Sequence, residues 1–252
     1  MRIYSNPLEA VKETERDLWE MGIEVHPQTM QDKDVGDNFD YVTKEIRGYS
    51  FKITDWVLEG GMLKLVMAHF FGDKEADNVL TYAMMEFRER IAGKAINPGR
   101  SYLLRHSLWK EYLHDGKFAY TYSERIAPQL ETIFHELSIH PESRQGVINI
   151  HSNICPERPG LVTKSNDLAN LGGGGRVPCS MYYQVMVREG KVDLVYTMRS
   201  CDFLIHFPVD ISIALMLQDW FADLLGLGMG TFTYFTGSLH AYHKDMIKRG
   251  IF

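Results

Sequence analysis

Apolar positions along this chain change period several times, and each change marks an element. Leu8, Val11, Leu18 and Met21 recur at helical spacing with polar residues between them, which predicts an amphipathic helix over 8–21. Residues 41–54 alternate and are rich in β-branched and aromatic side chains, as a strand pair folded around Gly48 would be. A second helix is predicted over 77–91, with Val79, Leu80, Met84, Phe87 and Ile91 on one side and Gly93 just past its end. A third covers 126–137 and stops at His140-Pro141. Residues 147–150, 180–187 and 192–198 read as strands, the last two joined by the turn Arg188-Glu189-Gly190-Lys191. The run 209–225 is too long and too apolar for a strand and predicts a buried helix closing near Gly226, and 231–235 reads as a final strand. Strands and helices mix without a regular βαβ alternation, so the expected class is α+β.

Composition narrows the picture. The 252 residues are 45% hydrophobic and 24% charged, ordinary for a globular protein with a substantial core. No linker or compositional shift marks a boundary, so 1–252 reads as a single catalytic domain. A net charge of -6 argues against a broad nucleic-acid surface, which needs a basic excess. No apolar stretch reaches the length of a membrane span, and the first residues carry no secretory pattern. Cys155, Cys179 and Cys201 form no CxxC pair and no even framework, which fits a reduced, cytoplasmic protein with thiols free for chemistry and no metal site. The glycine run at 172–175 has neither phosphate-loop spacing and reads as a surface loop.

Alone, Cys179 has two readings, a small buried hydrophobe entering an apolar strand or a nucleophile. Its neighbours shift the balance toward the second. Arg176-Val177-Pro178-Cys179-Ser180-Met181-Tyr182-Tyr183-Gln184 precedes Met198-Arg199-Ser200-Cys201-Asp202. Then come Phe207-Pro208-Val209-Asp210-Ile211 and Gly237-Ser238-Leu239-His240-Ala241-Tyr242. This ordered set resembles the thymidylate synthase family, including its pyrimidine hydroxymethylase branch, over about residues 120–242. The family has a PC-x-x-x-x-Q nucleophile segment, an RS-x-D segment, a P-x-[ND]-I helix start and an H-x-Y segment in this order. Pro141-Glu142-Ser143-Arg144 is similar to its phosphate-binding arginine segment, with Gln145 where a second arginine often stands.

The resemblance implies a large mixed β-sheet covered by helices and a homodimer packed through the sheets, with shared active sites. It implies transfer of a one-carbon unit from 5,10-methylenetetrahydrofolate, a co-substrate, to C5 of a pyrimidine nucleotide. Cys179 would add to the ring as nucleophile, a thiolate being suited to that step when cations such as Arg199 and Arg176 stand near. Arg199, Ser200, Asp202 and, from the second subunit, Arg144 fall at substrate positions; a guanidinium beside a hydroxyl suits a phosphate. His240 and Tyr242 fall at the sugar 3′-hydroxyl. Glu86 falls at the proton-relaying carboxylate, Tyr122 beside the substrate and Trp109 beside the folate.

At the base-reading position, where thymidylate synthases carry asparagine, this chain has Asp210. Cytosine presents an N4 donor and a bare N3 acceptor, and a carboxylate can accept from N4. That aspartate resembles the deoxycytidylate hydroxymethylase branch known from T-even-type phages. Ten residues follow Tyr242, fewer than the family's folate-covering tail, which also points to water rather than hydride as the final reactant. The expected activity is therefore dCMP to 5-hydroxymethyl-dCMP. Rivals are a thymidylate synthase, a dUMP hydroxymethylase, and a catalytically silent nucleotide-binding relative.

Overall fold

The computed structural model describes residues 1–30, 33–54, 56–59, 61–151 and 177–251; Cys155, the glycine run at 172–175 and Arg176 lie outside them. In chain order the elements are β1 (Arg2–Tyr4), α1 (Pro7–Met21), β2 (Ile23–Val25), β3 (Thr29–Met30), β4 (Lys33–Asp34), β5 (Thr43–Ile53), α2 (Met62–Phe71) and α3 (Asp73–Arg90). They continue with α4 (His106–Trp109), α5 (Tyr122–Ile139), β6 (Val147–Asn149), β7 (Ser180–Arg188) and β8 (Lys191–Asp202), then α6 (Phe207–Leu225), β9 (Gly228–Tyr242) and α7 (His243–Lys248). A large mixed sheet has the order β1-β5-β9-β8-β7-β6, with β2 also paired to β5, and β3 and β4 form a separate ribbon. The β1–β5 and β8–β9 pairs are parallel and the others antiparallel. Helices cover the sheet, and the class is α+β.

Local chemistry explains the element ends. Asn6 caps α1 by accepting from the Glu9 N–H, and Thr121 with Glu124 forms a reciprocal capping box that starts α5 at Tyr122 rather than at 126. Glu189 and Gly190 both have positive φ, 53° and 71°, the geometry of a two-residue hairpin turn whose twist matches β7 and β8. Gly226 closes α6 in the left-handed conformation. Of the 19 residues of α6, 13 are buried, so it is the core helix its apolar run predicts. Its buried Gln218 clips the sheet by donating to the carbonyls of Val192 (2.8 Å) and Gly230 (3.3 Å). The core lies between α6 and the sheet, with Phe51 stacked on Tyr234 at 5.1 Å and Tyr183 on Tyr196 at 4.4 Å. Burying each such ring contributes about 2–3 kcal/mol.

Three further sequence expectations are corrected, and one helix was not foreseen. The predicted pair around Gly48 is one strand, because Gly48 takes φ 67° without turning the chain and the register with β9 is the same on either side of it. The last strand runs far beyond 235: Gly237 lies against the Arg199 carbonyl, where a Cβ would come within 2.8 Å, so this glycine serves close strand packing. Helix α2 was not foreseen, since its apolar residues surround the helix and leave no period to read. In α3 the buried face holds Tyr82 and Ala83, while Met84 is 41% exposed.

Side-chain alternation changes phase at one level across neighbouring strands. In β9 the buried positions are Phe232, Tyr234 and Thr236, then Leu239 and Ala241; in β8 they are Val192, Leu194, Tyr196 and Met198, then Cys201. A strict period of two would keep one parity. The slip sits at Gly237 and at Arg199-Ser200, and the β7–β8 register shifts nearby between Ser180 and Tyr182. This kink carries Arg199 and Ser200 and lies beside Cys179.

Candidate active site

Cys179 lies in the bend just before β7 and is half-buried. Its carbonyl accepts from the Arg199 backbone N–H at 2.8 Å, which ties the bend to β8. The Arg199 side chain straps the same segment, Nε donating to the Pro178 carbonyl (2.9 Å) and Nη2 to that of Val177 (3.0 Å). Nη2 and Ser200 Oγ each stand 3.8 Å from the Cys179 sulfur, and Arg199 Nη1 donates to Ser200 Oγ at 3.1 Å. Two donors thus face one sulfur and can stabilise negative charge that builds there. Cys201, by contrast, is sealed in the core, and burial together with the nearby Asp210 charge pushes its thiol well up.

Across the parallel β8–β9 ladder Ser200 pairs with Ser238 and Asp202 with His240. Burial pushes the His240 pKa down to about 4, and the Arg199 charge adds to this, so the ring is neutral at physiological pH. The Tyr242 ring meets His240 edge-on at 5.2 Å, and burial pushes its phenol up. Asp202 turns the other way: its carboxylate accepts from the backbone N–H groups of Leu204 (3.2 Å) and Ile205 (3.3 Å) and so shapes the turn into α6. Burial, with Asp245 nearby, pushes its pKa up to about 7.

The second half of the site is helical. On α3, Glu86 pairs with Arg90 at 2.5 Å, the two side chains being 16% and 4% exposed. Arg90 also donates to the Tyr183 hydroxyl at 3.3 Å and lies 4.2 Å over the Tyr122 ring at the start of α5. Glu86, Arg90, Tyr102, Trp109, Tyr120 and Tyr122 help line a cavity of about 60 Å³. The Trp109 ring lies 5.8 Å from His206. Asp210 occupies the first turn of α6, where the helix terminus favours negative charge, and its charge acts on both Arg90 and Arg105. Tyr122 joins the halves: after burial, the charges that push its phenol up include those of Cys179 and Asp210. Arg144 is exposed on the loop between α5 and β6, its carbonyl accepting from Gln184 Nε2 at 2.9 Å.

A sequence model of thymidylate synthase matches residues 81–249, well over half the chain. The chain belongs to the thymidylate synthase family. It is 26% identical to a putative thymidylate synthase of Methanocaldococcus jannaschii over 221 residues, covering 87% of this chain and 85% of that protein. A putative thymidylate synthase of Methanosarcina barkeri is 28% identical over 134 residues, and there the match spans 51% of this chain and only 55% of the relative. In fold the chain is similar to thymidylate synthase from T4 phage, with a TM-score of 0.61 at 17% identity over 94% of this chain and 78% of that one. It is also similar to thermostable thymidylate synthase A from Bacillus subtilis, with a TM-score of 0.63 at 16% identity, covering 96% and 82%. Enzymes of this family are one-carbon transferases that use methylenetetrahydrofolate.

The family match reaches upstream of residue 120, where the sequence resemblance was strong only downstream, and so includes Glu86 and Trp109. Sequence reasoning missed Arg90 and Arg105. Arg90 had a readable signal, standing four residues after Glu86 on a helix, the spacing of a same-face ion pair. Arg105 donates to the Ile205 carbonyl at 3.4 Å and lies 5.3 Å from the Tyr82 ring, contacts that no local pattern encodes. Among the described residues no group of three His, Cys, Asp or Glu side chains could hold a metal, and no helix is long and apolar enough to cross a membrane.

Proposed function

We propose that this chain transfers a one-carbon unit to C5 of a pyrimidine nucleoside monophosphate, with dCMP as acceptor and 5-hydroxymethyl-dCMP as product. The observation that carries the choice of base is a carboxylate, Asp210, in the first turn of α6 within electrostatic reach of Arg90 and Arg105. Facing cytosine it accepts from the N4 amino group; facing uracil it would meet the O4 lone pairs.

In this reading the Cys179 sulfur bonds to C6, and the ring electrons moved by that addition make C5 nucleophilic. Arg199 and Ser200, both 3.8 Å from the sulfur, hold charge on it before attack. His240 and Tyr242 bind the sugar hydroxyl, and Arg199 turns from its carbonyl partners toward the phosphate. The aromatic side chains of Trp109, Tyr120 and Tyr122 around the Glu86 cavity suit a flat heterocycle. Bound there, 5,10-methylenetetrahydrofolate would supply the carbon at the oxidation level of formaldehyde. Glu86, held by Arg90, positions water and moves protons at C5 and at the exocyclic carbon. The exposed Arg144 serves the phosphate of a second copy's site in a homodimer. Mixing Cys179→Ala with Arg144→Ala subunits should restore part of the activity through hybrids, and hybrids that stay inactive overturn the shared site.

A second reading, methylation of dUMP, is favoured by the relatives named thymidylate synthase. Incubation with methylenetetrahydrofolate and dCMP, CMP or dUMP separately decides between them. The proposal expects dCMP to gain one CH2O unit by mass; dUMP gaining one CH2 unit, with dCMP untouched, overturns it.

A further inference from the structure

Strands β5 and β9 run antiparallel with Glu45 opposite His240 and Arg47 opposite Ser238. In this setting Ser238 Oγ donates to Glu45 Oε2 at 2.9 Å and lies 3.2 Å from His240 Nδ1. The three side chains come from two strands and form one continuous hydrogen-bonded chain. Glu45 is only half-buried and could turn to solvent, yet it is held on the serine. The Ser238 backbone is fixed as well, because Gly237 packs directly on the Arg199 carbonyl.

We infer that Glu45 is a positioning residue which, through Ser238, holds His240 in the tautomer with its proton on Nδ1, leaving Nε2 as an acceptor. The available protons fix the tautomer. A carboxylate only accepts, and a serine hydroxyl has one proton to give. With that proton directed to Glu45, Ser238 can offer His240 only lone pairs, so Nδ1 must be the donor. Burial keeps the ring neutral, so one nitrogen is bare, and the relay selects which. This rests on the reading of His240 as the contact for a sugar hydroxyl: the hydroxyl donates to Nε2 and keeps its own lone pairs for other donors. Ser238, given no role in the motif reading, thereby acquires one through its neighbour.

The test is 15N NMR of histidine-labelled protein, reading the His240 ring shifts in wild type, Glu45→Gln, Ser238→Ala and Ser238→Thr. Wild type and Ser238→Thr, which keeps the hydroxyl, should carry the proton on Nδ1. In Glu45→Gln the amide nitrogen can donate to Ser238 Oγ and free its proton for Nδ1, so the population should move toward the Nε2–H form; Ser238→Ala should also lose the preference. A wild type protonated on Nε2, or an unchanged tautomer in both Glu45→Gln and Ser238→Ala, overturns the relay. Affinities for dCMP and its 2′,3′-dideoxy counterpart, with a dUMP pair alongside, separate the two levels. Wild type should favour the hydroxylated nucleotide about fivefold, the worth of one net hydrogen bond, and Glu45→Gln should lose that preference. Preference retained in Glu45→Gln overturns the positioning role. If the tautomers behave as stated but wild type ignores the 3′-hydroxyl, the tautomer lock stands and the sugar-contact reading of His240 falls.

Discussion

The Cys179 half of the site and the Glu86 half are built by different means. Around Cys179, strand register does most of the placing: Arg199 reaches the carbonyls of residues 177 and 178 because β8 lies beside β7, and Ser238 and His240 follow from the β8–β9 ladder. Around Glu86, placement depends on long side chains from separate elements meeting in a buried space, with Arg90 bridging Glu86, Tyr183 and Tyr122. The first half is tied by backbone; the second is tied by charge. Loss of a side chain in the first should therefore cost chemistry, whereas loss in the second should cost folding as well.

The largest effect expected is on turnover. Cys179→Ala should lower product formation by at least about a thousandfold while the thermal midpoint stays near wild type, because the removed sulfur is half-buried and no other group supplies the covalent step. Measurable product at more than a trace level would remove Cys179 from the mechanism. Next comes Arg90→Met. With Glu86 left charged and only 16% exposed, urea unfolding should show a loss of about 2–4 kcal/mol, and the neutral double variant Glu86→Gln/Arg90→Met should recover much of it. A single variant as stable as wild type would mean the pair is not the frame of that half.

Asp210 stands where the halves meet, so Asp210→Asn should alter choice rather than speed. The ratio of kcat/KM for dCMP over dUMP should fall by roughly tenfold to a hundredfold, the range for one charge-assisted hydrogen bond gained or lost. An unmoved ratio would take base selection away from this residue.

The smallest effect is a pair of opposed pH slopes within the first half. Asp202, raised from about 3.8 to about 7, gives stability that is present below pH 3.8 and lost as pH rises toward 7. His240, lowered from about 6.5 to about 4, gives stability that is present above pH 6.5 and lost as pH falls toward 4. Over the shared window the two slopes oppose. Asp202→Asn should leave stability rising with pH, and His240→Gln should leave it falling, in denaturant titrations across that range. The same slope in both variants would contradict the assignment.

The same contrast explains what could be read from the residues alone. The hairpin at 188–191, the buried run at 209–225 and the motif around Cys179 are local, and local patterns survive in a sequence. Residues placed by register follow once the strands are known. The one long β9 was hidden because Gly237 in Gly-Ser-Leu-His looks like a turn, and its real partner is a carbonyl on another strand. Arg105 and Glu45 reach across 100 and 193 positions of chain to Ile205 and Ser238, and no spacing rule marks such contacts. Met84 misled because the apolar stripe of α3 did not count Arg90, which is buried only through its partners.

If Cys179 adds to C6 of a cytosine ring for one-carbon transfer, the covalent adduct can be trapped. A fluorine at C5 cannot leave as the proton does, so the nucleotide should stay bonded to the sulfur. The protein would be incubated with 5-fluoro-dCMP and methylenetetrahydrofolate, with 5-fluoro-dUMP in parallel, then digested and its peptides weighed. 5-Fluoro-dCMP is expected on the peptide bearing Cys179, dependent on the folate and absent from the Cys179→Ala variant. No adduct with either nucleotide, an adduct with 5-fluoro-dUMP alone, or an adduct on Cys201 would contradict it.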